Sequence, residues 1–332
     1  MANITILGSG GWGLALAVLS RRLGHSVTVW SPFPEELADI RRHGEHVKLL
    51  PGVAIPPDIA LTSTLDTVQH ADLVLLTVPS YAIAQTLEKL AQVLPAGALV
   101  ANAGKGLDAN THRRFSEVIT DALPQARVVV LSGPSHAEEV ARGIPTSVVS
   151  ASSDAGAAER VQELLMGPDF RVYVHDDVVG VELGAALKNV MALAAGIIDG
   201  MGLGDNAKAA LMTRGLAEMA RLGVALGARG ETFMGLSGMG DLIVTCGSMH
   251  SRNRRAGILI GQGCTVADTI AQVGTVEGYL AARAAYELAQ EAGVEMPIAE
   301  ECYRLCYEGR SPQDAIRTLM GRPARVEGRV EG

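Results

Sequence analysis

Aromatic side chains are scarce, at 4% of 332 residues. That leaves little material for the base-stacking platforms of single-strand nucleic-acid binders. Excess positive charge is also missing: 28 Lys and Arg stand against 36 Asp and Glu, for a formal net charge of −8. A nucleic acid or an anionic lipid surface therefore finds no basic footprint, and neither is expected as a partner. An anionic small molecule would have to be held by a local basic cluster. Cysteine is limited to Cys246, Cys264, Cys302 and Cys306, all late in the chain and without disulfide or zinc spacing. Cys302 and Cys306 share a helix face at i, i+4, but no histidine lies nearby to complete a metal set. They are read as reduced core thiols, with no metal site expected. Long apolar runs are missing too. The longest stretch uncharged apart from Lys188 runs from Leu183 to Ile198, short of the ~20 residues a membrane span needs, so no stable membrane insertion is expected. The N-terminus has no leader-like pattern and runs straight into a strand, which gives a cytoplasmic expectation.

Hydrophobic residues make up 48% and charged residues 19%, the balance of a well-packed globular chain long enough for two cores. Thirty-eight glycines exceed the usual ~7% and punctuate the chain at turns and close approaches. Apolar runs predict strands at 3–7, 26–30, 72–78, 98–101, 127–131 and 147–150, with helical segments between them, beginning with 12–23. Such alternation implies a doubly wound, mostly parallel sheet with right-handed crossovers. Near residue 176 the pattern changes to long helical periods at 179–198, 207–226, 275–292 and 299–308, separated by glycine clusters. The expected organisation is an α/β domain over 1–176 and an all-α domain over 177–332, with a polar, frayed tail from Arg322.

Gly8-Ser9-Gly10-Gly11-Trp12-Gly13 fits G-x-G-x-x-G and follows a strand, opens a helix and precedes a second strand at βαβ spacing. Gly8 would make the tight turn, Gly10 would let backbone approach a pyrophosphate, and Gly13 would let helix and strand pack. The helix N-terminus offers N–H groups to phosphates. The N-terminal half is thus expected to be a Rossmann-like dinucleotide-binding domain. At the end of the second strand stand Trp30, Ser31 and Pro32, with no acid before Glu35 to take a ribose hydroxyl and no adjacent arginine to clamp a 2′-phosphate. Arg41 and Arg42 read as a solvated helix face, so NAD and NADP both stay open.

Alcohol oxidation needs a base for the hydroxyl proton. Lys188, mid-helix among Gly184, Ala185, Leu187, Met191 and Ala192, is in a setting that would desolvate an ammonium and lower its pKa, although its stem could equally carry the charge to the surface. Asn189 could hydrogen-bond the reacting oxygen. Asp241, after the glycine-rich 235–240 segment, is either a helix N-cap or the partner that orients Lys188. Ser251, Arg252 and Asn253 lead into a helix and form either a phosphate cradle or a solvated face. Lys105, Gly133 and Ser135 follow strand C-terminal ends, where ligands of such sheets bind.

Taken in order, residues 8–13, 102–107, 132–140, 187–190, 240–242, 251–255 and 276–278 make the chain closely resemble the bacterial NAD(P)-dependent glycerol-3-phosphate dehydrogenase family over nearly its full length. The resemblance implies interconversion of sn-glycerol 3-phosphate and dihydroxyacetone phosphate, feeding glycerophospholipid synthesis. It implies Lys188 as general acid/base, with Asp241 beside it and Lys105 as a second active-site lysine. It implies substrate contacts from Lys105, Gly133, Ser135, Asn189, Ser251, Arg252 and Asn253. It also implies contacts to NAD or NADP from Gly8, Gly10, Gly11, Trp12, Gly13, Lys105, Ala137, Arg252 and Glu277, and a homodimer. The sequence departs from the family pattern at Gly11, where relatives often have Ser, and at Pro32, where they often have His or Arg. Two other readings are a hydroxyacid or ketopantoate-type dehydrogenase, which needs a carboxylate clamp, and a non-catalytic dinucleotide sensor, which would not need Lys188, Asp241 and Arg252.

Overall fold

The computed structural model describes residues 1–324. Its N-terminal half is built on eight strands: β1 (Asn3–Leu7), β2 (Ser26–Trp30), β3 (Ala60–Thr62), β4 (Leu73–Leu76), β5 (Leu99–Asn102), β6 (Arg127–Ser132), β7 (Thr146–Ala151) and β8 (Phe170–His175). They form one sheet in the order β3-β2-β1-β4-β5-β6-β7-β8. Every pair is parallel except β6 with β7. Helices α1 (Gly11–Arg22), α2 (Pro34–His43), α3 (Ile83–Leu90), α4 (Phe115–Ala122), α5 (Ala137–Ala141) and α6 (Ala155–Leu165) connect them. One core, with Ile4, Ile6, Leu75, Val129 and Val148, lies beneath α1. A second, with Leu7, Val74, Leu76, Val100 and Phe115, fills the other face. Burial on both sides explains why the central strands read as continuous apolar runs. This is the doubly wound Rossmann-like architecture, whose strand order reverses between β1 and β4 and opens a crevice at their C-terminal ends.

Two strands were not foreseen. β3 has only three residues, too few to show a period. β8 alternates buried Phe170 and Val172 with exposed Arg171 and Tyr173, the pattern of an edge strand.

From residue 178 the chain is helical: α7 (Val178–Gly200), α8 (Gly204–Ala225), α9 (Asp241–Gly247), α10 (Arg252–Gly261), α11 (Val266–Val273), α12 (Glu277–Ala292), α13 (Pro297–Tyr307) and α14 (Pro312–Met320). Helix α7 is the axle, with every residue from Gly180 to Ile198 buried. It runs further than the stretch read from sequence. At 23 residues and a mean hydropathy of 1.6 it has the length and composition of a membrane span, yet its apolar window is wholly covered by the rest of the protein. Its N-terminus is capped by Asp177, whose Oδ1 accepts from the Gly180 N–H at 2.9 Å. Glu182 in turn accepts from the Ser116 N–H (2.9 Å) at the start of α4 and pairs with Arg114 (3.2 Å), which fastens the helical half to the sheet.

Helices α7 and α10 meet backbone to backbone. A Cβ at Gly196 would lie 2.1 Å from the Arg254 carbonyl oxygen, and one at Gly200 2.2 Å from that of Ile258. The reverse faces match: Gly257 would strike the Leu193 oxygen at 2.1 Å and Gly261 that of Ile197 at 2.5 Å. Four glycines at i, i+4 spacing therefore set how near α10 comes, and with it the Ser251–Asn253 turn. Of the polar tail expected from Arg322, residues 325–332 lie outside the described residues; Arg322 itself pairs with Glu295 at 2.9 Å.

Candidate functional site

The first turn after β1 has the geometry a dinucleotide requires. Gly8 has φ +125°, where a side chain is strained, and its N–H donates to the Trp30 carbonyl at 2.9 Å. Gly13 packs against it so closely that a Cβ would lie 2.1 Å from the Gly8 oxygen. Above Gly10, by contrast, nothing lies within 4 Å, so ligand could approach this stretch of backbone at the start of α1. Gly11 has a different constraint. A Cβ there would be 2.4 Å from the Leu49 oxygen, so a side chain at this position would require the Leu49 backbone to move. The Trp12 indole N–H donates to the Ala103 carbonyl (3.0 Å) beyond β5, and Ala137 packs on the core beside α1. The residues present thus fit a bound dinucleotide.

Across the crevice, three charged side chains converge. Gly184 on α7 lets a wide, π-helical turn at Leu236–Gly240 press against the helix, a Cβ there lying 2.8 Å from the Ser237 oxygen. Lys188, one turn further on the same face, then meets the first residue of α9. Its Nζ donates to Asp241 Oδ1 at 2.8 Å and to Thr245 Oγ1 at 2.7 Å. Lys105, on the loop after β5, brings Nζ to 2.8 Å from Asp241 Oδ2 and donates to the Gly133 carbonyl (2.8 Å) and Ser135 Oγ (3.3 Å). Asp241 is thus no N-cap: Gly240 holds that position, and the carboxylate bridges two ammonium groups. Lys188 does not reach the surface, its side chain being 6% exposed.

This burial sets the electrostatics. Desolvation, partly countered by Asp241 and reinforced by Lys105, pushes the Lys188 ammonium down to about 8. For Asp241 burial works upward, but Lys105 and Lys188 together outweigh it and hold the carboxyl below its usual range. Two cations against one anion leave the site locally positive in a chain of negative net charge.

Near this triad, Ser251 caps α10 by accepting from the Arg254 N–H (3.2 Å). Arg252 is exposed at the helix start, with no hydrogen bond or ion pair among the described residues. Arg254 is committed to Asp199 (2.7 Å) and the Gly247 carbonyl (2.7 Å). Asn253 is buried: its Nδ2 donates to Asn189 Oδ1 (2.8 Å) and its Oδ1 accepts from the Gly278 N–H (2.9 Å), so the two asparagines stitch α7, α10 and α12 together. Glu277 opens α12 and accepts from Ser80 Oγ (3.0 Å) across the crevice. Burial raises its pKa against the pull of Ser80 and Arg252.

Two site residues carried no assigned role in the sequence. Thr245, one helical turn after Asp241, touches the Lys188 amine. His136 lies in the Gly133–Ala137 loop with its ring 5.4 Å from that of His250, which precedes the Ser251 turn. Burial and the neighbouring Lys105 and Lys188 lower its pKa. The i+4 spacing of Thr245 was available in the sequence; the His136 pairing needed the fold.

Two family models match the chain: NAD-dependent glycerol-3-phosphate dehydrogenase N-terminus over residues 3–158, and the C-terminus of the same family over 177–317. A curated glycerol-3-phosphate dehydrogenase [NAD(P)+] from Moorella thermoacetica is 52% identical, covering 98% of this chain and 97% of that protein. One of the same name from Desulfitobacterium hafniense is 46% identical, covering 98% and 93%. The crystal structure of glycerol-3-phosphate dehydrogenase from Coxiella burnetii superposes with a TM-score of 0.92 at 37% identity, over 97% of this chain and 99% of that one. A ketopantoate reductase from Ralstonia eutropha, at 17% identity and a TM-score of 0.62, shares the fold alone.

Proposed function

The chain belongs to the NAD-dependent glycerol-3-phosphate dehydrogenase family, and from that premise we propose how its own residues carry the reaction. It is an NAD(P)-dependent oxidoreductase that interconverts glycerol 3-phosphate and dihydroxyacetone phosphate. Neither the hydroxyacid nor the sensor reading is favoured. When bound, the dinucleotide supplies or accepts the hydride.

The observation that carries the residue assignment is the Lys188–Asp241–Lys105 triad at the mouth of the crevice, with Lys188 and Asp241 buried and Lys105 partly so. Lys188 holds the proton that the substrate oxygen at C2 gains on reduction and loses on oxidation. Its pKa near 8 makes both forms accessible around neutral pH. Asp241 orients the amine and keeps it from leaving the site, and Thr245 fixes its second direction. Lys105, anchored by Gly133 and Ser135, places positive charge where the oxygen becomes negative. Arg252 and the N-terminus of α10, with Ser251 and Asn253, receive the substrate phosphate. Asn189 orders that turn through Asn253. Gly8, Gly10, Gly11, Trp12, Gly13 and Ala137 bind the dinucleotide, and Lys105, Arg252 and Glu277 bound its nicotinamide end.

A domain boundary at 176/177 is supported by the end of β8 at His175 and the start of α7 at Val178. We also propose a cytoplasmic homodimer without membrane insertion. The covered state of α7 and the four unpaired cysteines support the location, and the family resemblance supports the dimer, which light scattering of the purified protein would check.

The deciding assay follows nicotinamide absorbance with dihydroxyacetone phosphate or with 2-oxo acids as acceptor. Turnover is expected with the phosphorylated ketone; turnover with 2-oxo acids alone would overturn the proposal.

A further inference from the structure

The acid missing after β2 arrives from the next helix. Glu36, in the first turn of α2, points its carboxylate back to the dinucleotide turn. There the Ser9 hydroxyl, between Gly8 and Gly10, and the Ser31 hydroxyl, directly after β2, help hold the carboxylate in its ionised form. His46 Nε2 holds Oε1 at 3.0 Å from the 46–52 loop. Ser9 and Ser31 are buried, while the Glu36 side chain remains 28% exposed. The group is thus held by the 46–52 loop and partly open to solvent, beside the turn that carries Ser9. Its His46 partner, more than any other contact, keeps it ionised.

In a Rossmann site an acid at this place hydrogen-bonds the adenosine ribose, while a 2′-phosphate calls for an arginine. The two arginines nearest in sequence are committed elsewhere. Arg41 donates to the Leu61 carbonyl on β3, and Arg42 pairs with Asp39 on the outer face of α2. Of the other charged groups nearby, Glu45 accepts from the Gly52 N–H (2.6 Å), and Glu35 and Lys48 are exposed.

We propose that Glu36 is the cofactor-specificity residue of this enzyme: its carboxylate takes the ribose 2′-hydroxyl of NAD(H), and its charge disfavours the 2′-phosphate of NADP(H). The inference rests on the dinucleotide-dependent reaction proposed above and deepens it.

The test is steady-state reduction of dihydroxyacetone phosphate with NADH and with NADPH, for the wild type, Glu36→Gln and Glu36→Asp. Fluorescence titration of each dinucleotide in the absence of substrate accompanies it. The wild type is expected to favour NADH in kcat/KM by about tenfold or more, the scale of one partly screened charge facing a phosphate. Glu36→Gln should lower the NADH value and raise the NADPH value, which structural damage cannot do, and Glu36→Asp should keep the preference for NADH. A wild type that prefers NADPH or uses both equally overturns the assignment. So does a glutamine variant that loses both activities in proportion. The titrations separate the two claims. Selective, Glu36-dependent NADH binding without dihydroxyacetone phosphate turnover would refute the reaction and leave the specificity residue standing.

Discussion

Replacing Lys188 with methionine removes the amine while keeping the stem that fills the space between α7 and α9. An ordinary lysine at 10.5 would be neutral in only about one molecule in several thousand at pH 7. With burial pushing Lys188 down to about 8, about one-tenth is neutral at pH 7 and about nine-tenths at pH 9. Oxidation of glycerol 3-phosphate, which needs the neutral amine, should therefore rise about tenfold between those pH values. Reduction of dihydroxyacetone phosphate, which needs the ammonium, should fall over the same interval. In Lys188→Met both limbs should disappear and kcat should drop by about 10²–10⁴, or about 3–5 kcal/mol of barrier. Asp241 keeps its 2.8 Å partner Lys105, so the carboxylate is not left buried and unpaired, and the fold should survive. Dinucleotide affinity should hardly change, because the first βα turn is untouched. The assay is the pH dependence of kcat in each direction at saturating substrate, with dinucleotide binding followed by fluorescence. A variant with near-normal kcat, or a wild-type profile without an inflection near pH 8, would refute the proton-carrier argument.

Three further outcomes are expected. Arg252→Ala should raise KM for dihydroxyacetone phosphate by about tenfold or more, the value of one charge-assisted contact. An equal rise for a non-phosphorylated analogue would show that the arginine does not bind phosphate. Glu218, buried in α8, accepts from the Ile298 and Ala299 N–H groups at the start of α13 (3.0 and 3.3 Å), and burial pushes its carboxyl from 4.5 up to about 7. The folded chain then keeps a proton that the unfolded chain loses, so stability should fall as pH rises from about 4.5 to 7, by up to about 3 kcal/mol. Thermal melts of Glu218→Gln should lack that slope, and an unchanged slope would assign it to other groups. Gly257→Ala must push α10 from α7 and should lower Tm, with a cost of about 1–3 kcal/mol; an unchanged Tm and an unchanged KM would show that the contact tolerates a methyl group.

Much of this architecture could be read from local pattern. β1 and β2 fall on the spans that the sequence predicted, and Gly8 and Gly13 make the tight turn and the close packing that their spacing implied. What stayed hidden depended on chain segments distant in sequence. Nothing near Lys188 in the chain says whether its stem turns inward; that is settled by the bare backbone at Gly184, which admits the turn before Asp241. Asn253 was legible as a polar group at a helix start, but its two hydrogen-bond partners come from α7 and α12. The positions next to the end of β2 hold no acid, whereas Glu36 comes to that end from the first turn of the following helix.

The bare seam between α7 and α10 has a further consequence. Where two helices touch through side chains alone, a rotamer change can absorb a small displacement; here, at four glycines, main chain rests on main chain. The helix proposed to receive the substrate phosphate and the helix that carries Lys188 should therefore move as one body. Any closing motion around substrate should be hinged outside this pair, leaving the spacing between proton and phosphate constant through turnover.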